Sequence, residues 1–270
     1  MKVKLEFKNL SSSSDSVAFL TLARPEASNA LDGGMIGEMM AALDSVRQRG
    51  AGCRVLVIRG EGKNFSAGAD LEWMKRSKSL GLAANQKEAK ELSSLFRSIY
   101  ELETPTLALV HGAVYGGGVG LAACCDYVLA AEGTRFCLSE VKVGLAAAVI
   151  LPFLHLKIHA GFLRRFVLSA TVFGAEEARH AGLVALVVDE DKKEQALTEE
   201  LNALLCGEPS AQRTFKRNHR LLLERDAAWL EKQCDIGVDT IAAARVSATG
   251  QEGISAFLEK RKPNWAATIS

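Results

Sequence analysis

Polar and apolar residues alternate through MKVKLEFKNL at the start of the chain, a period of two that predicts a half-buried first strand. VAFLTLAR and RVLVIRG are denser apolar runs and predict strands buried on both faces. Between them the period lengthens. Ile36, Met39, Met40, Leu43 and Val46 share one face of a helix that Asp32 can cap and that ends near Gly50. NQKEAKELSSLFRSIYELETP repeats that pattern with Leu92, Leu95, Phe96, Ile99 and Leu102, and Pro105 stops it. TLALVHG and DYVLAA follow as buried strands with a short helix between them. The alternation of strand and helix predicts an α/β core. SSSSDS at 11–16 reads as a hairpin turn or loop, and KRSKSLGLAANQ, which has no apolar stripe, as a mobile lid.

Strand signals stop near residue 195, which divides the chain into a core at 1–195 and a helical region at 196–270. Composition places the chain among ordinary soluble globular proteins, with 48% apolar and 24% charged residues. A formal charge of +1 speaks against a broad nucleic-acid surface. No apolar run approaches a membrane span and no signal-peptide core is present, so the expected setting is cytoplasmic. Cys53, Cys124, Cys125, Cys137, Cys206 and Cys234 form no Cys-x-x-Cys pair and read as reduced, buried thiols. His155 and His159 are spaced to share a helix face but lack the acid of a metal motif, and no metal is expected.

The chemistry concentrates in VHGAVYGGGVGLAACCD, Val110 to Asp126. Gly118 to Ala123 fits the dinucleotide pattern G-x-G-x-x-G/A, and Glu140 stands roughly where that fold places an acid, about 20 residues on. Too few residues separate Gly120 from the strand at Tyr127 for a full crossover helix, which disfavours a nicotinamide site. A strand that ends in bare glycines and leads into a helix also presents backbone N–H groups and about half a positive charge. That suits an oxygen that becomes negative during reaction. NFSAGADLEWM, Asn64 to Met74, offers a second turn of this kind, in which the Asp70 side chain reads first as a helix cap.

At these residues the chain resembles the enoyl-CoA hydratase/isomerase (crotonase) superfamily. The matching segments run in order: LARPEASNALDGGMIGEM, VLVIRGEGKNFSAGADLEWM, VHGAVYGGGVGLAACCDYVLA, RFCLSEVKVGL and EGISAFLEKRK. The resemblance implies a crotonase-like spiral of ββα repeats, a C-terminal helical oligomerisation region, homotrimers or dimers of trimers, and acyl-CoA thioester substrates. Coenzyme A is then part of the substrate, with no separate cofactor. It implies an oxyanion hole at the N–H groups of Ala69 and Gly117, and substrate contacts around Ser28, Ala30, Ala67, Gly68, Asp70, Leu71 and Gly116. Phe257 and Lys260 resemble positions that reach a neighbouring subunit's coenzyme A.

Hydratases of the best-known type in this family carry two catalytic glutamates. The position two residues after the glycine triplet is Gly120 here, so one acid is missing, while the second position is Glu140. Phe136, Leu138, Val141 and Val143 near it predict a raised pKa and a role in moving protons. One acid suffices for moving a double bond between Cα–Cβ and Cβ–Cγ; adding water asks it to do two jobs. GADLEWM, GGGVGLAACCD and LSEVKVGL resemble the bacterial methylglutaconyl-CoA hydratase branch, whereas AAAVILPFLHLKIH departs from it. The expected activity is hydration of a branched or carboxylated enoyl-CoA. The alternatives are a 3-enoyl to 2-enoyl-CoA isomerase and a non-catalytic acyl-CoA-binding or scaffold protein.

Overall fold

The computed structural model describes residues 1–11, 14–70, 72–73, 82–143 and 146–223, with 248, 252, 259, 261, 262 and 264 as isolated positions. β1 (Val3–Asn9) and β2 (Ser16–Leu22) form an antiparallel hairpin, and the Leu10 N–H closes it by donating to the Asp15 carbonyl at 2.9 Å. Helix α1 (Gly33–Arg49) starts where the Asp32 side chain accepts the Met35 N–H at 2.8 Å, satisfying a first-turn donor. Its buried face is Met35, Ile36, Met39, Ala42, Leu43 and Val46, the stripe the sequence predicts with Met40 displaced to its margin.

β3 (Cys53–Gly60), helix α2 (Leu82–Tyr100), β4 (Thr106–Val110), β5 (Ala113–Tyr115), helix α3 (Gly117–Cys124), β6 (Tyr127–Ala131) and β7 (Arg135–Cys137) continue the alternation. Helices α4 (Leu151–Lys157) and α5 (Ala160–Ser169) precede β8 (Phe173–Gly174), helix α6 (Ala175–His180), β9 (Leu186–Val188), and helices α7 (Lys193–Leu205) and α8 (Pro209–Leu223). Six strands pair in the order β1-β2-β3-β4-β6-β9, parallel after the first pair, and β5-β7-β8 form a smaller sheet. With α1, α2 and α3 this is the α/β spiral the sequence led us to expect. The short β5 and β7 escaped the sequence reading because three residues carry no measurable period.

Both faces of the larger sheet are covered, which is why β2 is buried at all seven positions. One face packs on α1, α2 and α3. The other takes α7, whose Leu197, Leu201 and Leu205 press on Val17, Phe19, Val55 and Val57. The helix that runs through residue 195 therefore lies on the core. His155 sits in α4 and His159 caps α5, so they do not share a helix face. Cys53, Cys124, Cys125 and Cys137 are buried; Cys206 is exposed, contrary to expectation, because it follows the last turn of α7. Cys234 lies outside the described residues, as do residues 75–81 of the expected lid, whose remainder belongs to α2. Among the described residues no helix is long and apolar enough to cross a membrane.

Leu201→Ala tests the docking of α7. Removing a side chain that is 1% exposed should cost about 2–5 kcal/mol, read as a lower urea midpoint. An unchanged midpoint would separate α7 from the cooperative core.

Candidate active site

Three loops meet at the ends of the parallel strands. The first, 24–31, leaves β2. Asn29 is fully buried, accepts the Arg24 N–H at 2.8 Å, and donates to the Glu61 and Asn64 carbonyls at 2.9 and 2.8 Å. The Arg24 guanidinium reaches Asp32 Oδ2 at 3.0 Å and Asp70 Oδ2 at 2.8 Å, binding the first loop to the second. The sequence reading missed both residues. The signal was present in LARPEASNA, where an arginine and an asparagine flank a tight turn.

The second loop, 64–70, runs between the other two as a short extended segment. On one side Leu31 N–H donates to the Gly68 carbonyl at 2.7 Å, and Asp70 N–H donates to the Leu31 carbonyl at 2.9 Å. On the other side Ser66 exchanges hydrogen bonds with Ala113 and Tyr115. In a parallel ladder the bonding groups alternate along the strand. Since 68 and 70 face Leu31, the N–H of Ala69 faces the opposite way, toward the third loop.

That third loop is the glycine turn. Gly116 N–H donates to the Cys137 carbonyl at 2.9 Å, and α3 begins at Gly117. First-turn N–H groups of a helix have no partner inside it. Gly68 (φ +90°) permits the approach of the two loops, because a Cβ there would stand 2.7 Å from the Tyr115 carbonyl oxygen and 3.4 Å from Gly117 N. A Cβ on Gly118 would stand 2.6 Å from the Ser66 carbonyl oxygen. Among the described residues, neither the Ala69 nor the Gly117 N–H has a protein acceptor. Both line one cavity of about 140 Å³.

Leu31, Leu92, Ala146, Ala147, Val149 and Ile150 make the rest of its wall apolar; Trp73 and Glu140 bring the only side-chain polar atoms among its described lining residues. Glu140 opens a 3-10 turn after β7, and its Oε1 lies 3.2 Å from where a Cβ on Gly116 would be. Burial pushes its carboxyl above the ordinary glutamate range, opposed only in part by its own backbone N–H. Glu140 Oε2 and Trp73 Nε1 are both buried without a protein partner among the described residues. Each such atom costs roughly 1–3 kcal/mol.

Asp70 has different work. Its Oδ1 accepts the Glu72 and Trp73 N–H groups at 2.8 and 3.1 Å while Oδ2 holds Arg24. Burial alone would push its carboxyl up; the Trp73 N–H, the Arg24 guanidinium and the Glu72 N–H outweigh it and leave it below the usual range. Its side chain is therefore the cap the sequence suggested. Ser28 (φ +51°) lies beside Ala67, whose N–H donates to the Ser28 carbonyl at 2.9 Å, and Ala30 is buried next to them. Leu71, Phe257 and Lys260 lie outside the described residues.

Gly120 is the position where the family resemblance implies a missing acid. It is buried inside α3, where a Cβ would overlap Ile150 Cγ2 and stand 3.0 Å from Phe96 Cε1. Apolar side chains occupy the room a second carboxylate would need. Among the described residues no group of three His, Cys, Asp or Glu side chains can hold a metal ion.

The sequence model of the family described as enoyl-CoA hydratase/isomerase matches residues 12–268. The chain is 31% identical over 260 residues to a crotonyl-CoA hydratase of Syntrophomonas wolfei, covering 93% of this chain and 95% of that protein. The solved structure named AtuE, from Pseudomonas aeruginosa, superimposes with a TM-score of 0.90 at 35% identity, over 98% of this chain and 100% of that one. An enoyl-CoA hydratase structure from Shewanella pealeana gives 0.87 at 35% identity, over 97% and 95% of the two chains.

Two outcomes are expected from this geometry. Gly120→Ala should lower stability by about 1–3 kcal/mol through overpacking against Ile150 and Phe96, despite alanine's better helix propensity; a higher melting temperature would contradict the packing. Glu140→Gln should be stabilising above the folded pKa of Glu140. A carboxyl whose folded pKa is raised holds its proton longer in the native state, so wild-type stability falls as pH rises from 4.5 through the folded value. The stability gap between the E140Q variant and wild type should widen over that window and then level off; a flat gap in denaturant titrations across pH would refute the shift.

Proposed function

The chain belongs to the enoyl-CoA hydratase/isomerase family, and from that premise we propose that it adds water reversibly across the Cα–Cβ double bond of a branched-chain enoyl-CoA. The observation that carries the reading is the cavity that Ala69, Gly117 and Glu140 share. Two outward N–H groups suit a thioester oxygen, whose charge grows as water attacks Cβ. Each such donor is worth roughly 3 kcal/mol when preorganised.

Glu140 does both proton transfers. As carboxylate it takes a proton from the water whose oxygen bonds to Cβ, and the electrons of the double bond move onto the thioester as an enolate. As acid it then gives that proton to Cα, and the enolate collapses to the 3-hydroxyacyl thioester. A pKa raised by burial brings the two states of the carboxyl closer in energy near the working pH. The apolar wall of Leu31, Leu92, Val149 and Ile150 supports a branched hydrocarbon acyl group. No cationic side chain stands among the described lining residues to pair with a second carboxylate, which weighs against a carboxylated chain. The loop stretch from Ser28 through Ala30 and Ala67 to Asp70 is where the coenzyme A moiety would lie, by backbone contacts.

A second reading keeps the same parts. Filled space at Gly120 leaves one carboxylate, and one carboxylate can carry a proton between Cα and Cγ of a 3-enoyl-CoA. We also infer assembly into trimers or pairs of trimers, as the family resemblance implies.

Incubation with 2-enoyl- and 3-enoyl-CoA thioesters in heavy water separates these readings. Hydration should appear as added water with deuterium at Cα, and Glu140→Gln should lower kcat by about 10²–10⁴. Deuterium at Cγ or Cα without added water would favour the isomerase. Turnover of no thioester would leave an acyl-CoA-binding protein.

A further inference from the structure

We propose that Ile150 limits the length of the acyl chain the protein accepts, and that Gly120 is bare because Ile150 stands in its place. The inference rests on the acyl-CoA reading above and adds the residue that selects among those substrates. Ile150 is 3% exposed and lies between two boundaries. In front of it is the cavity of about 140 Å³, of which it forms part of the wall. Behind it is α3, so close that a Cβ on Gly120 would overlap Ile150 Cγ2. At this point the wall has no room to retreat.

The position along α3 decides what Ile150 meets. Gly117, the donor assigned to the thioester oxygen, and Gly120 are three residues apart, which puts them on one helix face. The Phe96 ring marks that face. It lies 3.8 Å from where a Cβ on Gly117 would be and 3.0 Å from one on Gly120. At 1.5 Å per residue, Gly120 stands about 4.5 Å along the axis from the oxyanion donor. A chain that leaves the thioester carbonyl along this face meets Ile150 within its first few carbons.

The side chain has little freedom to turn aside. Ile150 has helical backbone angles (φ −93°, ψ −16°), and a β-branched residue there strongly prefers one χ1 rotamer. Its backbone is held at the start of α4. The Ile150 carbonyl accepts the Leu154 N–H at 3.1 Å, and the Ala147 carbonyl accepts the Leu151 N–H at 2.9 Å. Trimming Ile150 to alanine would therefore join the space in front of Gly120 and Phe96 to the cavity.

The test measures kcat/KM for straight 2-enoyl-CoA thioesters of rising length, from crotonyl through hexenoyl and octenoyl to decenoyl. One methylene too many in an apolar pocket costs about 10-fold or more, so wild-type values should fall steeply along the series. Ile150→Ala should raise the octenoyl-to-crotonyl ratio by about 10-fold or more. Ile150→Val should raise it about fourfold, the worth of one buried methylene, and it keeps the test open if the alanine variant does not fold. Gly120→Ala adds a methyl group behind Ile150, pushes it toward the cavity and should lower the ratio. A ratio unchanged in both Ile150 variants would overturn the proposal. So would an equal loss at every chain length, which marks a structural role, or a higher ratio in Gly120→Ala. Saturated acyl-CoAs, which cannot add water, give the same comparison as Kd by calorimetry. If those Kd values follow position 150 while no enoyl-CoA gains water, the hydratase reading has failed and the chain-length assignment stands.

Discussion

Everything at the site depends on two backbones coming closer than side chains allow. The 66–69 segment lies against the 115–118 turn at a separation where a Cβ on Gly68 or Gly118 would press on a carbonyl oxygen at 2.7 or 2.6 Å. This approach turns the Ala69 and Gly117 N–H groups toward one space, and it lets α3 begin there, adding the field of its first turn. In the proposed reaction neither donor needs to move as charge develops. The cost is borne by the parallel strands on both sides, which hold the loops by their ends.

Around that approach the protein places groups that are uncomfortable on their own. Glu140 and Trp73 each bury a polar atom with no protein partner among the described residues. Asp70 is buried too, yet its oxygens are matched by Arg24 and two backbone N–H groups, so it stays ionised and acts as a fastener. The two carboxylates differ in the donors that the fold brings to them. The matched one carries geometry, and the unmatched one retains the capacity to gain and lose a proton.

Gly120 shows how the two demands interact. Its lack of a side chain lets Ile150 and Phe96 close over α3, and Ile150 also forms part of the cavity's apolar wall. The same packing leaves no room for a side chain at position 120.

Much of this was legible in the chain. The apolar periods of α1, α2 and β2 to β4 gave the elements, because burial on one stripe or on both faces writes directly into residue order. VHGAVYGGGVG and NFSAGAD marked the two turns, since glycine at such density serves only close backbone contact. The sequence also singled out Glu140, and left Gly120 as a gap. The tertiary structure decided what fills the gap, because Phe96, Gly120 and Ile150 are far apart in sequence and meet only through packing. It decided that Asp70 is a fastener while Glu140 is free to titrate, because both are acids flanked by apolar residues and differ only in which donors the fold brings to them. It also made Trp73 and Glu140, more than sixty positions apart, walls of one cavity, for which no local pattern exists.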